Sequence, residues 1–188
     1  VGSYKRYFDV PAKWAAQKVF VKFEGVSSAF YLWINGEKVG YSQDSRTPAV
    51  FDITKFVKAG RNSIALEVYQ YSDGSYLEDQ DFWRLSGIFR PVTLYTTPQM
   101  AIADIFNRAG LSEDYKDGTL QTEILVKNSA EVKQGMKISG TLFSPEGRKI
   151  STAESLVELD AGKSAICKWK FADVKNVRAW SAEIPTLY

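Results

Sequence analysis

Residues 33–39 read WINGEKV, and the Asn35-Gly36 pair at their centre determines how the chain folds on either side of it. A two-residue type I′ turn requires positive φ at both central positions, and Asn-Gly meets that requirement at low cost. The motif therefore predicts a tight turn that pairs Trp33-Ile34 with Lys38-Val39 as an antiparallel β-hairpin.

Further strands are predicted outward from this hairpin because apolar residues recur at every second position. Such a pattern is typical of strands with one face in water. The residues that share an apolar face are Val19, Val21 and Phe23; Ile64, Leu66 and Val68; Leu120, Thr122, Ile124 and Val126; Met136, Ile138 and Leu142; and Ala165, Cys167, Trp169 and Phe171. Single helical turns are expected at residues 11–17 and 54–59. Many short strands separated by glycine-containing turns predict an all-β fold built from sandwiches.

A domain boundary is predicted near Thr97-Pro98-Gln99, where a strand at residues 91–95 ends. Residues 1–97 hold most of the aromatic side chains and irregular loops, whereas residues 99–188 are plain strands with charged wet faces. The second part has the size of an immunoglobulin-like sandwich, of the kind that has no disulfide.

The composition excludes several classes of function. The sequence has no histidine and one cysteine, Cys167, which excludes Ser-His-Asp and Cys-His catalysis, histidine metal ligands and an internal disulfide. Cys167 is expected to be a buried structural thiol. The 24 Lys and Arg residues nearly balance the 22 Asp and Glu residues and form no stripe, which disfavours nucleic-acid binding. No membrane-spanning helix is predicted, and the compartment, cytoplasmic or periplasmic, is left open.

The least regular stretch, Tyr69 to Arg90, reads YQYSDGSYLEDQDFWRLSGIFR and predicts a long loop. Long structured loops on a rigid scaffold are where binding residues concentrate. Carboxylates alternate here with aromatic rings: Asp73, Glu78, Asp79 and Asp81 with Tyr71, Tyr76, Phe82 and Trp83. Carboxylates accept hydrogen bonds from sugar hydroxyls and rings cover the apolar face of a pyranose, so the loop is a candidate for sugar recognition.

The composition and spacing of this loop also allow other interpretations. Composition alone favours an ordered Ω-type loop with Trp83 in the core and the acids in solvent. Cation binding is weaker because the spacing matches no EF-hand. Catalysis by Asp79 and Asp81 is rejected, because such close neighbours seldom face each other across a substrate. Residues 40–46 are expected to form an ordinary turn, and Trp14 and Trp33 remain open between core and sugar platform.

Three stretches carry a family resemblance. Residues 73–90 read DGSYLEDQDFWRLSGIFR, residues 33–46 read WINGEKVGYSQDSR and are followed by FDIT at 51–54, and residues 180–188 read WSAEIPTLY. Together they resemble the β-galactosidase type of glycoside hydrolase family 2. The resemblance implies a jelly-roll sandwich at residues 1–98, N-terminally incomplete, and an immunoglobulin-like sandwich at 99–188 that lacks its last strand.

The same resemblance implies a retaining enzyme that removes terminal non-reducing β-D-galactose from β-D-galactosides. Its catalytic glutamates lie on a (β/α)₈ barrel of the same chain, so residues 1–188 alone are expected to be inactive. It assigns Asp81 as a substrate-binding residue and sodium ligand, with Glu78, Asp79, Trp83 and Arg84 supporting the loop. Sodium and magnesium are implied for the full enzyme, which we expect to be a homo-oligomer. A stand-alone carbohydrate-binding module and a family 2 β-glucuronidase or β-mannosidase remain alternatives.

Overall fold

The computed structural model describes residues 1–81 and 83–188, which divide into two compact units, Val1–Pro98 and Gln99–Tyr188. Strands dominate both units, and every strand pairing in the described residues is antiparallel. The all-β prediction is therefore confirmed. No helix within the described ranges has the length and apolar character needed to cross a membrane.

In the first unit, the described residues form nine strands and one short α-helix. They are β1 (Gly2–Val10), β2 (Lys18–Phe23), β3 (Val26–Ser27), β4 (Ala29–Ile34), β5 (Glu37–Gln43), β6 (Ala49–Asp52), β7 (Gly60–Tyr69), α1 (Gly74–Leu77), β8 (Gly87–Ile88) and β9 (Val92–Thr97). The sheets have the orders β1-β7-β4-β5 and β6-β2-β9, with a small β3-β8 pair. The two expected helical turns each form a single 3₁₀ turn, at Ala12–Trp14 and Thr54–Phe56.

The core of the first unit lies between its two larger sheets. Alternate residues of β2, β4 and β7 point inward, as the period of the sequence predicts, and form one buried cluster. Leu32, Ile34 and Ile53 are 0% exposed, and burying a side chain of this size contributes about 1.5–3 kcal/mol. The rings of Phe23 and Phe30 meet in this core with centroids 4.9 Å apart.

The Asn35-Gly36 turn joins β4 to β5 as predicted, with φ of 52° at Asn35 and 87° at Gly36. The Asn35 side chain also makes hydrogen bonds that hold the turn in place. Its Oδ1 accepts the backbone N–H of Ser63 at 2.9 Å, and its Nδ2 donates to Asn62 Oδ1 at 2.8 Å and to the Phe56 carbonyl at 2.9 Å. The turn is thus fastened to the neighbouring strand β7.

The second unit contains β10 (Met100–Leu111), β11 (Gly118–Asn128), β12 (Gln134–Phe143), β13 (Lys149–Leu159) and β14 (Ser164–Lys170). Its sheets are β10-β11-β14 and β12-β13, and their inner faces share a second apolar cluster. Trp169 packs against this cluster and its Nε1 donates to Ser155 Oγ at 2.8 Å. Cys167 packs there too, but it is only half-buried, so the expectation of full burial is wrong.

Candidate functional site

The segment between β7 and β8, residues 70–86, contains the candidate site, and we call it the acidic segment. It is not a plain loop. Its first part forms the four-residue helix α1, whose N-terminus is capped by Asp73 Oδ1 accepting the backbone N–H of Gly74 at 2.9 Å. Ser28 Oγ holds the entry to the helix, because it donates to the Tyr69 carbonyl at 3.1 Å and contacts Ser72 Oγ at 3.0 Å. The Asp-Gly-Ser cap was the sequence signal that could have revealed this helix.

Glu78, at the C-terminal end of α1, links this segment to a distant part of the chain. Its half-buried carboxylate accepts the backbone N–H of Ser45 through Oε1 at 2.9 Å. Residues 40–46 therefore do not form the ordinary turn that was expected. Their first part completes β5, and Ser45 is buried against the acidic segment.

Asp44 shapes the backbone that presents Ser45. It has φ of 85°, a region that Asp occupies more readily than most residues because its side chain bonds locally. Its Oδ1 accepts the backbone N–H groups of Arg46 at 3.2 Å and Thr47 at 3.3 Å. The hydrogen bond from the Thr47 hydroxyl is the main cause of a lowered Asp44 pKa, so the carboxylate that fixes this bend stays ionised.

Asp79 and Arg84 form an ion pair across the segment, with Oδ1 and Nη2 2.6 Å apart. The side chains are 49% and 63% exposed, and pairs in such settings contribute only about 0–1 kcal/mol. The pair therefore matters as a geometric constraint on the intervening residues more than as a source of stability. The Arg84 carbonyl also accepts a long hydrogen bond, 3.5 Å, from Gln70 Nε2.

In the sequence, Asp81 lies between Asp79 and Arg84, and its side chain is exposed. Within residues 1–81 and 83–188 its carboxylate makes no hydrogen bond and no ion pair, because Arg84 is engaged by Asp79 instead. A carboxylate in this state retains all of its acceptor positions for a ligand.

Among the residues that the structure describes, the aromatic side chains of the segment face solvent. Tyr76 is 84% exposed and Trp83 is 83% exposed, so the interpretation that placed Trp83 in the core is wrong. Leu77, between them in sequence, is 89% exposed. Phe82 lies outside the described residues. Large apolar side chains exposed together on one surface usually mark a site where another molecule or domain binds.

A small cavity lies beneath the segment. It has a volume of about 60 Å³, and the residues that line it include Ser27, Ser28, Ser45, Gln70, Glu78 and Arg84. This space is too small for a pyranose ring, and Asp81 does not line it. The described residues also contain no group of three acidic or cysteine side chains able to hold a metal ion. Asp81 can therefore give one oxygen to a sodium ion or a sugar, but it does not form a complete site with its described neighbours.

The remaining tryptophan candidates lie elsewhere in the first unit. Trp14 packs against the apolar core. Trp33 is half-buried on the opposite face of β4, with its ring centroid 6.0 Å from that of Tyr31. The sequence did not reveal the roles of Ser28 and Ser45. Ser45 lies in the motif at residues 33–46, but nothing in that motif shows that its N–H bonds to Glu78, and no motif marks the contact of Ser28 with Tyr69.

Comparison with known proteins follows the same division of the chain. Residues 1–98 match the family described as glycosyl hydrolases family 2, sugar binding domain, and residues 100–188 match glycosyl hydrolases family 2. The chain is 44% identical over 189 residues to a protein named beta-galactosidase from Priestia megaterium, covering 100% of this chain and 18% of that protein. A beta-galactosidase from Clostridium acetobutylicum is 41% identical over 188 residues, covering 100% of this chain and 20% of that protein.

Among solved structures, a Bacteroides uniformis beta-glucuronidase matches with a TM-score of 0.88 at 23% identity, covering 98% of this chain and 23% of that one. At this identity the match shows a common fold. The chain spans about a fifth of the length of the curated relatives that it matches. Family matches across both units, and identity above 40% to these two relatives over the whole chain, show that this chain belongs to glycosyl hydrolase family 2.

Proposed function

We propose that the full-length protein is a β-galactosidase that hydrolyses terminal non-reducing β-D-galactose residues in β-D-galactosides. The name shared by its relatives at 41–44% identity supports this substrate class. The observation that carries the role of this chain is the state of Asp81, which is exposed and unpaired among the described residues while Glu78 and Asp79 are both engaged. In this proposal the chain supplies scaffold and one substrate ligand.

Asp81 is suited to bind hydroxyl groups because an ionised carboxylate only accepts hydrogen bonds. Glu78 and Asp79, which precede it, are bonded to Ser45 and Arg84, and this restraint on the chain lowers the entropic cost of binding. A sodium ion bound with the sugar would take one oxygen of Asp81 and its other ligands from elsewhere, and would orient hydroxyl groups by coordination. Magnesium, implied for the full enzyme, has no candidate ligand set in the described residues.

The catalytic carboxylates belong to another part of the protein in this proposal. A retaining glycosidase uses two carboxyl groups about 5–5.5 Å apart, one as nucleophile and one as acid and base. Asp79 is held in an ion pair with Arg84, whose Nη2 lies 2.6 Å from its Oδ1. We assign catalysis to a (β/α)₈ barrel in the same chain, with a homo-oligomer as the assembled enzyme.

The test compares nitrophenyl β-galactoside, β-glucuronide and β-mannoside as substrates of the full-length protein and of residues 1–188 alone. We expect release from the galactoside by the full-length protein and none from the 188-residue chain. Asp81→Asn should lower kcat/KM by roughly 10- to 150-fold, the cost of losing charge-assisted hydrogen bonds. Asp9→Asn, at an exposed acid on β1, is the matched control and should have no effect. Normal activity of Asp81→Asn would remove Asp81 from the site.

A β-glucuronidase is the first alternative, since several structural neighbours carry that name. The charge of the segment argues against it. A glucuronide has a carboxylate of its own, and an unpaired Asp81 carboxylate close to it would repel it. Preference for the glucuronide in the substrate panel would favour this alternative.

A sugar-binding module that acts by itself is the second alternative, and the description of the family matched by residues 1–98 favours it. With Asp81 as a lone ligand and a cavity of only about 60 Å³ nearby, affinity for a free sugar should be millimolar or weaker. Calorimetric titration of the 188-residue chain with galactose and lactose measures this. Saturation at micromolar sugar would favour the module.

A further inference from the structure

The Ser45 hydroxyl is the starting point for a second assignment. Ser45 is only 3% exposed, and its Oγ makes no hydrogen bond with any residue in the described ranges. Buried polar side-chain atoms in folded proteins nearly always have a partner. Ser45 is one of the residues that line the cavity beneath the acidic segment, so a small molecule held there is a candidate partner for its hydroxyl.

The cavity suits water. Its volume of about 60 Å³ exceeds the space that one water needs, and the residues that line it include Ser27, Ser28, Gln70 and Glu78, whose side chains are able to hydrogen-bond to water. Glu78 Oε1 already accepts the Ser45 N–H. Its second oxygen is available to accept a hydrogen bond from a water that also contacts the Ser45 hydroxyl.

The segment that carries Asp81 depends on such side-chain contacts. From Asp79 to Leu85 the described residues make no backbone–backbone hydrogen bond. Two constraints act on either side of Asp81: Glu78 bonded to Ser45, and Asp79 paired with Arg84. The Asp79–Arg84 pair is exposed and weak, so the Glu78–Ser45 contact is the only one of the two that is shielded from water.

We propose that Ser45 is a positioning residue for Asp81, acting through water in this cavity and through Glu78. This role rests on the proposed function, because the sugar contact of Asp81 is what the positioning serves. The Ser45 hydroxyl and backbone N–H together hold the end of α1, and the end of α1 sets where the chain begins its path to Asp81. Ser45 touches neither the substrate nor the reacting atoms.

The experiment uses the full-length protein with four variants. Ser45→Ala removes the hydroxyl, and Ser45→Thr keeps it. Glu78→Ala removes both carboxylate contacts, and Glu78→Gln keeps an acceptor for the Ser45 N–H. Ser155→Ala is the control for loss of a serine hydroxyl away from the site, because Ser155 is partly buried, accepts a hydrogen bond from Trp169 Nε1 and lies in the second unit.

We expect Ser45→Ala to raise KM for nitrophenyl galactoside by about three- to tenfold with kcat nearly unchanged, the scale of one lost hydrogen bond. Glu78→Ala should have a larger effect of about 10- to 100-fold on kcat/KM, since its bond is charge-assisted. Ser45→Thr should restore the normal KM, and Glu78→Gln should be intermediate. Amide hydrogen exchange at residues 74–85 should be faster in Ser45→Ala, with Tm and exchange in the second unit unchanged.

Unchanged exchange at residues 74–85 in Ser45→Ala would overturn the inference whatever the kinetics show. A normal KM in Ser45→Ala beside a defective Asp81→Asn would also overturn it while leaving the proposed function intact. Normal kinetics in both variants would instead contradict the substrate role of Asp81. A KM defect in Ser45→Thr equal to that of Ser45→Ala would show that the hydroxyl is not the group that acts.

Discussion

Asn62, in the first unit, is expected to make a large contribution to the free energy of unfolding for a side chain of its size. It is 2% exposed at the start of β7, and its side chain makes four hydrogen bonds. Nδ2 donates to the carbonyls of Lys58 and Gly60, both at 2.7 Å, and Oδ1 accepts from Lys58 N at 3.0 Å and from Asn35 Nδ2 at 2.8 Å. This one amide joins the turn before β7 to the β4-β5 hairpin.

Asn62→Ala removes all four bonds and leaves main-chain groups of Lys58 and Gly60 without their partner. At about 1 kcal/mol for each bond, the free energy of unfolding should fall by about 3–4 kcal/mol, since some of the freed groups regain water. For a unit of this size each kcal/mol lowers Tm by roughly 4–8 °C, so a fall of about 12–30 °C is expected.

Calorimetry of the 188-residue chain measures the loss, and amide exchange locates it. Exchange should rise in β4, β5 and β7. Asn128→Ala is the matched variant, because Asn128 is also 2% exposed and also makes four side-chain hydrogen bonds, but in the second unit. Its exchange increase should stay in the second unit. A loss below about 1 kcal/mol for Asn62→Ala would show that this hydrogen-bond network is dispensable for stability.

Three further perturbations test other contacts in the structure. Gly36→Ala should cost about 1–2 kcal/mol in urea unfolding, purely from its positive φ, because no atom lies within 4 Å of the added Cβ; no change would mean that the turn is not type I′. Gly140→Ala should cost about 1–3 kcal/mol, because its Cβ would lie 2.6 Å from the Trp169 ring, and Gly140→Ala combined with Trp169→Leu should recover part of that loss. Burial acts to raise the pKa of Asp52, but hydrogen bonds from Thr54 and the nearby Lys18 outweigh it and lower the pKa below 3.8. Asp52 therefore contributes stability above that pH, which is lost as pH falls through its lower folded value. Asp52→Asn should flatten the acid limb of the stability curve, and an unchanged limb would contradict this.

The strands and the hairpin were predictable because their causes are local. The alternation that places Val19, Val21 and Phe23 on one face is written in adjacent residues, and burial follows from it directly. Asn35-Gly36 likewise fixes its own turn. The pairing of β1 with β7, which sets Gly2 opposite Val68, joins segments too distant in sequence for any periodicity to reveal.

The sequence predicted which residues belong to the candidate site, but not how those residues pair. The sequence marked Glu78, Asp79, Asp81 and Arg84 as a group, but it could not show which acid pairs with Arg84, because Asp79 and Asp81 have the same charge and similar reach. The structure selects Asp79. Nor could it show the contact between Ser45 and Glu78, which are 33 residues apart and meet only after β5 and β7 have formed a sheet with β4.

The exposed side chains of the acidic segment argue that it functions against another part of the protein. Tyr71, Tyr76, Leu77, Trp83 and Leu85 are each at least 63% exposed. Leaving that much apolar surface in water costs free energy in proportion to its area, and a binding loop that worked alone would need a concave pocket beside these rings. The pocket beside this segment is too small for a sugar, and Asp81 does not line it. A partner surface that covers the rings would both remove them from water and close a site around Asp81, so burial of these side chains and assembly of the sugar site are expected to occur in the same step.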